Sequence, residues 1–410
     1  MIIVDDLRAM SRSQRAAFTA AFLGWALDAF DFFLLTFVLT DIARDFKVEV
    51  PAVAVAIALT LYARPFGALV FGLLADRFGR RAVLQIDVLL YSILAFASAF
   101  SPNLITLLVL RTAFGFAMGG EWGVGASLTM ESIPPKMRGM VSGLLQVGYP
   151  TGALLGALAN LALPHVGWRG LLMFSALPAL LVLYIRRNVE ESPAWVEGRE
   201  ARQQAGVLGP LIQNWPLLLY VVVLMTAFNL FSHGTQDLFP TFLKKQHHFD
   251  TVMVTTIAIC GNIGAICGGV FFGTLSEVIG RRRAILVAAL FALPVIPLWA
   301  FSQTPLLLAA GAFLIQISVQ GAWGVVPVHL NELSPDSARG FFPGFAYQLG
   351  NLFAASAAPL QAAFAHDRGD NYGLALGVMA AGVAVTLSVL TIFGPERRGK
   401  AFGKPGATGG

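Results

Sequence analysis

The chain has 410 residues, of which 56% are hydrophobic and 12% charged. Soluble domains carry about a quarter charged residues, so a water-soluble enzyme or binding module is excluded and a polytopic membrane protein is indicated. The formal net charge of +5 does not point to nucleic acid, because the basic residues gather in alternate loops, where they report topology.

Met1 to Arg15 is polar and runs into an apolar stretch with no small-residue cleavage site, unlike a cleaved signal peptide. Apolar runs long enough to cross a bilayer follow at 17–40, 51–75, 82–101, 104–131, 138–162 and 168–186. A second set lies at 214–243, 252–276, 284–302, 305–332, 340–364 and 371–393. The connection between the sets is the one long polar stretch. The expected organisation is an N-terminal six-helix bundle (1–187), a cytoplasmic linker (188–213) and a C-terminal six-helix bundle with a short tail (214–410). Arg80, Arg81, Lys136, Arg138, Arg186, Arg187, Arg281, Arg282, Arg339, Arg397 and Arg398 all fall on one side of this pattern. Positive charge marks the cytoplasmic side, so both termini are expected there, in a multi-pass cell-membrane protein. Cys260 and Cys267 share one apolar helix about 10 Å apart along its axis, beyond disulfide reach, and read as filler.

The two halves repeat. Gly72-Leu-Leu-Ala-Asp76-Arg-Phe-Gly79-Arg80-Arg81 aligns with Gly273-Thr-Leu-Ser-Glu277-Val-Ile-Gly280-Arg281-Arg282. At the same offset Gly120, Trp122, Gly123, Glu131, Pro134 and Arg138 meet Gly321, Trp323, Gly324, Glu332, Pro335 and Arg339. Six spans per half make the repeat parallel, and a binding site is then expected near midplane between the halves.

Within the seventh run, Asn229, His233, Gln236, Asp237 and Thr241 recur at helical spacing on one face. Lipid cannot solvate such a face, so it lines another helix or a cavity. Asn, Gln and Thr alone would be read as an interhelical seam; the ionisable His233 and Asp237 favour a substrate or proton pathway. Other charges also lie inside spans: Asp28 and Asp31 one turn apart in the first, Arg64 in the second, Arg111 and Glu121 in the fourth. Each one left unpaired at the bilayer centre costs roughly 2.5–3.5 kcal/mol.

Gly72 to Arg81, Arg64-Pro65-Phe-Gly67, Gly119-Gly120-Glu121-Trp122 and Glu191-Ser-Pro193-Ala-Trp195 resemble signatures of the major facilitator superfamily, in its organic-anion and sialate/lactate proton symporter branches. Asn229 to Thr241 is similar, position by position, to the N-x-x-S/T-H-x-S/T-Q-D-x-x-x-T pattern of Jen-type lactate/pyruvate permeases. The resemblance implies an all-α membrane protein with twelve helices in two pseudosymmetric bundles, alternating access, and a short-chain carboxylate handled by the seventh span. It also implies that Asp76, with Gly72 and Arg80, latches the inner gate near Gly340. One departure is Tyr149 between Gly148 and Pro150, where antiporter branches carry a Gly-Pro pair.

A small carboxylate needs a cation, and a guanidinium offers it two parallel N–H groups. Arg64, the deepest cation, twelve residues and roughly 18 Å before Asp76, is the expected anchor; the alternative is a purely structural pair with Asp28 or Asp31. Arg111 lies further out and is read as structural or coupling. Asn229, His233, Gln236 and Asp237 complete the expected substrate site. Asp31 and Asp237, then Asp28 and Glu121, are the expected proton carriers. Asp87 is assigned to the cytoplasmic charge network, because it follows Arg80 and Arg81 closely. His329 is read as core.

The expected function is proton-coupled symport of a small monocarboxylate, with the lipid bilayer, the carboxylate and a proton as partners and the monomer as the working unit. Sialate or dicarboxylate uptake is the alternative, and efflux or non-transporting sensing fits less well. No nucleotide-binding loop and no paired metal-ligand motif occurs in the sequence. Cofactor, metal and nucleic-acid partners are therefore not expected, nor is enzymatic activity.

Overall fold

A computed structural model describes residues 8–162, 165–198 and 212–402. Half of the expected linker, 199–211, lies outside the described residues.

Every expected span is helical. In the first half they run Arg12–Phe37, Val50–Phe78, Arg80–Ser98, Leu104–Ser132, Arg138–Ala162 and Gly167–Asn188. In the second they run Trp215–Lys245, Thr251–Ile279, Arg281–Phe301, Pro305–Leu333, Phe342–His366 and Tyr372–Phe393. Several starts are capped by side chains that take up the free N–H groups of a first turn. Ser11 and Gln14 form a reciprocal box, and Asn103, Asp250 and Asn371 accept from the third residue of their helices. The second and third spans meet at Gly79 (φ 108°), and the eighth and ninth at Gly280 (φ 95°). Both turns need the left-handed backbone that glycine alone adopts cheaply, and they are repeat-related.

Among the described residues five spans are interrupted: the fourth at Gly119 and Gly120, the fifth at Val147, the sixth by a 3-10 turn at Phe174–Ala176, the seventh at Asp237 and Leu238, the eleventh at Ala355 and Ser356. In the seventh, Pro240 lacks an N–H and disfavours helix in the residue before it. The helix therefore ends at Gln236 and restarts at Phe239. The continuous polar face expected through Thr241 stops at Asp237.

The bundles touch along their basic-face halves, where the second span meets the eleventh, the fifth meets the eighth and tenth, and the fourth meets the tenth and eleventh. Without a hydrophobic drive between helices in lipid, small residues and polar links hold such contacts. A Cβ on Gly72 would stand 2.6 Å from Phe341 Cα, and one on Gly123 2.6 Å from Gly344 Cα. Gly143 backs onto the Gly269 carbonyl as closely. Ser142 Oγ donates to the Gly324 carbonyl at 2.7 Å, and Ser127 Oγ to that of Arg339 at 2.7 Å.

Two matching charge networks seal this face. Arg80 pairs with Asp76 (2.9 Å) and Glu131 (3.1 Å), and Arg339 reaches the same Glu131 at 3.3 Å. Arg281 pairs with Glu277 (3.2 Å) and Glu332 (3.0 Å), and Glu277 accepts from the Gly139 N–H of the other bundle. The chain after the twelfth span lies across the closure. Arg397 donates to the Leu333 carbonyl, Gly399 N–H to Glu332 and Arg138 to the Lys400 carbonyl. The Phe402 ring sits between the guanidiniums of Arg138 (3.6 Å) and Arg339 (3.8 Å). Away from the networks, Trp168 and Arg169 both donate to Asp45, joining the outer ends of the first and sixth spans. The Arg169 hydrogen bond holds the Asp45 carboxyl below its ordinary range.

Candidate functional site

The interruption of the seventh span frees a turn of polar side chains at midchain. His233 Nδ1 donates to Asp237 (3.1 Å to Oδ2), and Nε2 faces the Asn351 side chain of the eleventh span at 2.9 Å. An amide presents either an acceptor or a donor, so this pair serves both the neutral and the protonated imidazole. The side chains of His233 and Asp237 are 32% and 40% exposed, whereas Asp28, Asp31, Arg64, Arg111 and Glu121 are all buried. Gln236 Nε2 donates to Gln316 Oε1 of the tenth span at 3.1 Å. Gln236 and Gln316 line a cavity of about 290 Å³ between the bundles, together with the amides of Asn262 and Gln320 and with Tyr149 and Trp299; His233 and Asp237 are not in its wall.

Asn229 is not in that cavity. It is buried, and its amide is committed to the carbonyls of Met225 (2.8 Å) and Tyr347 (3.4 Å). The structure thus uses it as a seam between the seventh and eleventh spans, a correction to its expected place in the substrate site.

Arg64 is also buried, at 4% exposure. Its Nη2 lies 3.7 Å from Asp28 and 2.8 Å from Met118 Sδ, and the guanidinium stands 5.5 Å from the Phe32 ring centroid. It does not line the amide cavity; it interacts instead with two members of an aromatic collar, Tyr149 and Tyr347. Trp25 packs on Tyr149 (5.2 Å between centroids), and Tyr347 on Trp122 (4.8 Å) and Trp323 (5.6 Å). Arg64 interacts electrostatically with Tyr149 of its own bundle and, across the bundle interface, with Tyr347 and His233. The arrangement combines a buried cation, aromatics from both bundles and a His–Asp pair of the seventh span. Sequence reasoning misses the collar, although the repeat already pairs Trp122 with Trp323.

Asp31 and Arg111 are both fully buried in the first bundle and interact electrostatically without a direct ion pair; Ser175 also acts on Asp31, and the Arg111 guanidinium lies over Phe114 at 5.0 Å. Glu121 opens the second segment of the fourth span, and its carboxyl packs over Gly24 of the first. Asp87 corrects the sequence expectation. It is fully buried, and its electrostatic neighbour is Asp28, not the basic-face network. Seven residues carry the helix about 10 Å inward from Arg80 and turn this carboxyl toward the bundle interior. Asp76 and Arg80 lie in the seal on the basic face, and Gly72 packs there against Phe341. His329 is buried in the tenth span.

The sequence profile of the Major Facilitator Superfamily matches residues 21–359 and 238–408. The chain belongs to that superfamily. It is therefore a multi-pass membrane transporter, not an enzyme, with twelve helices in two pseudosymmetric bundles. It is 30% identical to a carboxylic acid transporter protein homolog of Saccharomyces cerevisiae, over 90% of this chain but only 64% of the yeast protein's length. It is 27% identical to the sialic acid transporter NanX of Escherichia coli, over 95% of this chain and 96% of that one. The niacin transporter NiaP of Acinetobacter baylyi is also 27% identical, over 93% of each chain. Among solved structures, the proton:xylose symporter XylE shares the fold with a TM-score of 0.79 at 19% identity, covering 95% of this chain and 98% of that one.

Proposed function

We infer that this transporter carries a small monocarboxylate, lactate- or pyruvate-like, into the cell together with a proton, working as a monomer by alternating access. The reading places both termini in the cytoplasm of a plasma-membrane protein, so the sealed basic face is the inner gate and the cavity opens outward. The observation that carries it is the pairing of one buried cation, Arg64, with an accessible His233–Asp237 couple across the bundle interface. Relatives named for carboxylic acid, sialic acid and niacin transport support an acidic substrate.

In the mechanism, the incoming carboxylate passes the aromatic collar and takes the guanidinium of Arg64 by a two-pronged contact. Asp28, deprived of its partner, takes up a proton, since an unpaired buried charge is costly. Monoanion and proton together add no net charge, so the loaded carrier crosses without opposing the membrane potential, which acts at roughly 2.3 kcal/mol per charge per 100 mV. His233 donates to the substrate, and Asp237 and Asn351 orient its ring. Asp31, which interacts with Arg111, responds to movement of the first span against the fourth.

Sialate is the second reading, favoured by four amide side chains in the cavity wall, which suit a hydroxyl-rich acid. Arg111 is fully buried within the first bundle and absent from the cavity wall, so it offers a dicarboxylate no second cation there. The test is uptake of labelled lactate into proteoliposomes under an inward proton gradient, with unlabelled pyruvate, acetate and sialic acid as competitors. Accumulation blocked by pyruvate is expected. Uptake of sialic acid without lactate would replace the first reading by the second, and uptake of neither would overturn both.

A further inference from the structure

Behind the Arg64–Asp28 pair the first bundle buries more carboxyls than cations. Asp28, Asp87 and Glu121 are at most 2% exposed, and they come from the first, third and fourth spans. Asp87 interacts electrostatically with Asp28, and Glu121 with Asp28, Asp87 and Arg64. The buried hydroxyl of Tyr91, one turn after Asp87, interacts with Glu121, Asp31, Asp28 and Asp87. Both carboxyl oxygens of Asp87 and of Glu121, and the Tyr91 hydroxyl, have no hydrogen-bond partner among the described residues. Asp31 and Arg111, buried in the same bundle, interact with each other, and Asp31 also with Asp28. Tyr149 and Tyr347 close the set from the fifth and eleventh spans.

The charge count constrains the protons. Arg64 compensates one carboxylate, and the 3.7 Å contact assigns that place to Asp28. Two further anions sealed beside it would stand uncompensated, which buried charges do not tolerate. Asp87 and Glu121 therefore hold protons in this conformation. Their depths form a descending series. Arg64 lies about 21 Å from the inner end of its helix, Glu121 about 16 Å and Asp87 about 10 Å, at 1.5 Å per residue.

The geometry points to Asp87 as the inner station of a proton route that runs through the first bundle, separate from the cavity that carries the substrate. The inference rests on the proposed symport. Once the substrate anion has left Arg64, the O–H bond of Asp28 breaks and its proton passes to Glu121. Glu121 hands its own to Asp87, and the proton of Asp87 goes to water on the basic face. One proton enters at Asp28, one leaves from Asp87, and both stores end refilled. Asp87 is a coupling residue without substrate contact.

The test uses the full chain in proteoliposomes, with labelled lactate and internal pH varied at fixed external pH. Wild type should accumulate less lactate as internal pH falls. Asp87→Asn should accumulate at least tenfold less and lose that internal-pH response, while lactate counterflow at equal pH persists; Asp87→Glu should restore both. An Asp87→Asn protein with wild-type accumulation and response overturns the inference. So does one that loses counterflow in proportion and keeps the response, which marks a structural role. Infrared spectroscopy of the purified protein without substrate gives a second readout, independent of what is carried and of whether Asp87→Asn inserts. A protonated-carboxyl band should persist above the pH at which exposed carboxyls ionise and should shift in Asp87→Glu. Absence of the band or of the shift overturns the inference. Failure of wild type to move lactate, with the band present, removes only the substrate reading.

Discussion

Asp76 and Gly340 join the two bundles: the Asp76 carboxylate accepts from the Gly340 N–H at 2.8 Å and also from that of Phe341 at 3.0 Å. An ionised acceptor capping the free N–H groups at the start of the eleventh span is favoured by the helix dipole as well. Asp76→Ala removes both acceptors and leaves Arg80 with Glu131 alone. Charge-assisted bonds contribute roughly 1.5–3 kcal/mol each, so the sealed state should lose at least tenfold in population. Spin labels on the inner ends of the second and eleventh spans should report a longer distance; an unchanged distribution would show that the glycine packing closes this face unaided.

Gly143 tests that packing. A Cβ added there would overlap the Gly269 carbonyl oxygen and stand 3.2 Å from Val270 Cα, meeting backbone and not a flexible tip. Gly143→Val should stop the basic face from closing while each bundle still folds. The expected result is a protein held open on the basic face, with counterflow reduced at least a hundredfold and unfolding temperature little changed. Normal counterflow would mean that the fifth and eighth spans separate easily enough to absorb the branch.

Arg64→Lys keeps the charge and removes the planar fork. The KM for lactate should rise roughly tenfold or more, since a bidentate contact becomes a single point contact. An unaltered KM would assign Arg64 to the Asp28 pair alone, as a brace between the first two spans.

Asn351→Ala takes away the group that meets His233 Nε2 at 2.9 Å. The ring then keeps only Asp237 as its fixed partner. Loss of one orienting hydrogen bond of about 1 kcal/mol should lower kcat/KM for uptake about fivefold, whereas Asn351→Gln should recover part of it. Equal activity in all three proteins would show that Asp237 alone sets the ring.

The spans are legible in the sequence because lipid enforces hydrophobicity over a fixed length, and the repeat is legible because both halves reuse one turn, Gly79 and Gly280. The interruptions are less so. Gly119, Val147 and Ser356 break helices through packing with other spans, which a single run of letters does not display. Arg64 and Glu121 stand out as charges in apolar segments, yet neither shows which way it points. Asp87 misleads because nearness to Arg80 along the chain is not nearness in space: two helical turns separate them. Asn229 shares the spacing of His233 and Asp237, but its amide is consumed by two carbonyls, and spacing cannot distinguish a lining group from a stitched seam.

The clasp formed by Arg397 to Phe402 has a practical consequence. Because the Phe402 ring is gripped by one guanidinium from each bundle, anything fused immediately after it pulls on a joint that must part in every cycle. A fluorescent reporter or affinity handle inserted directly after Phe402 becomes a lever on turnover.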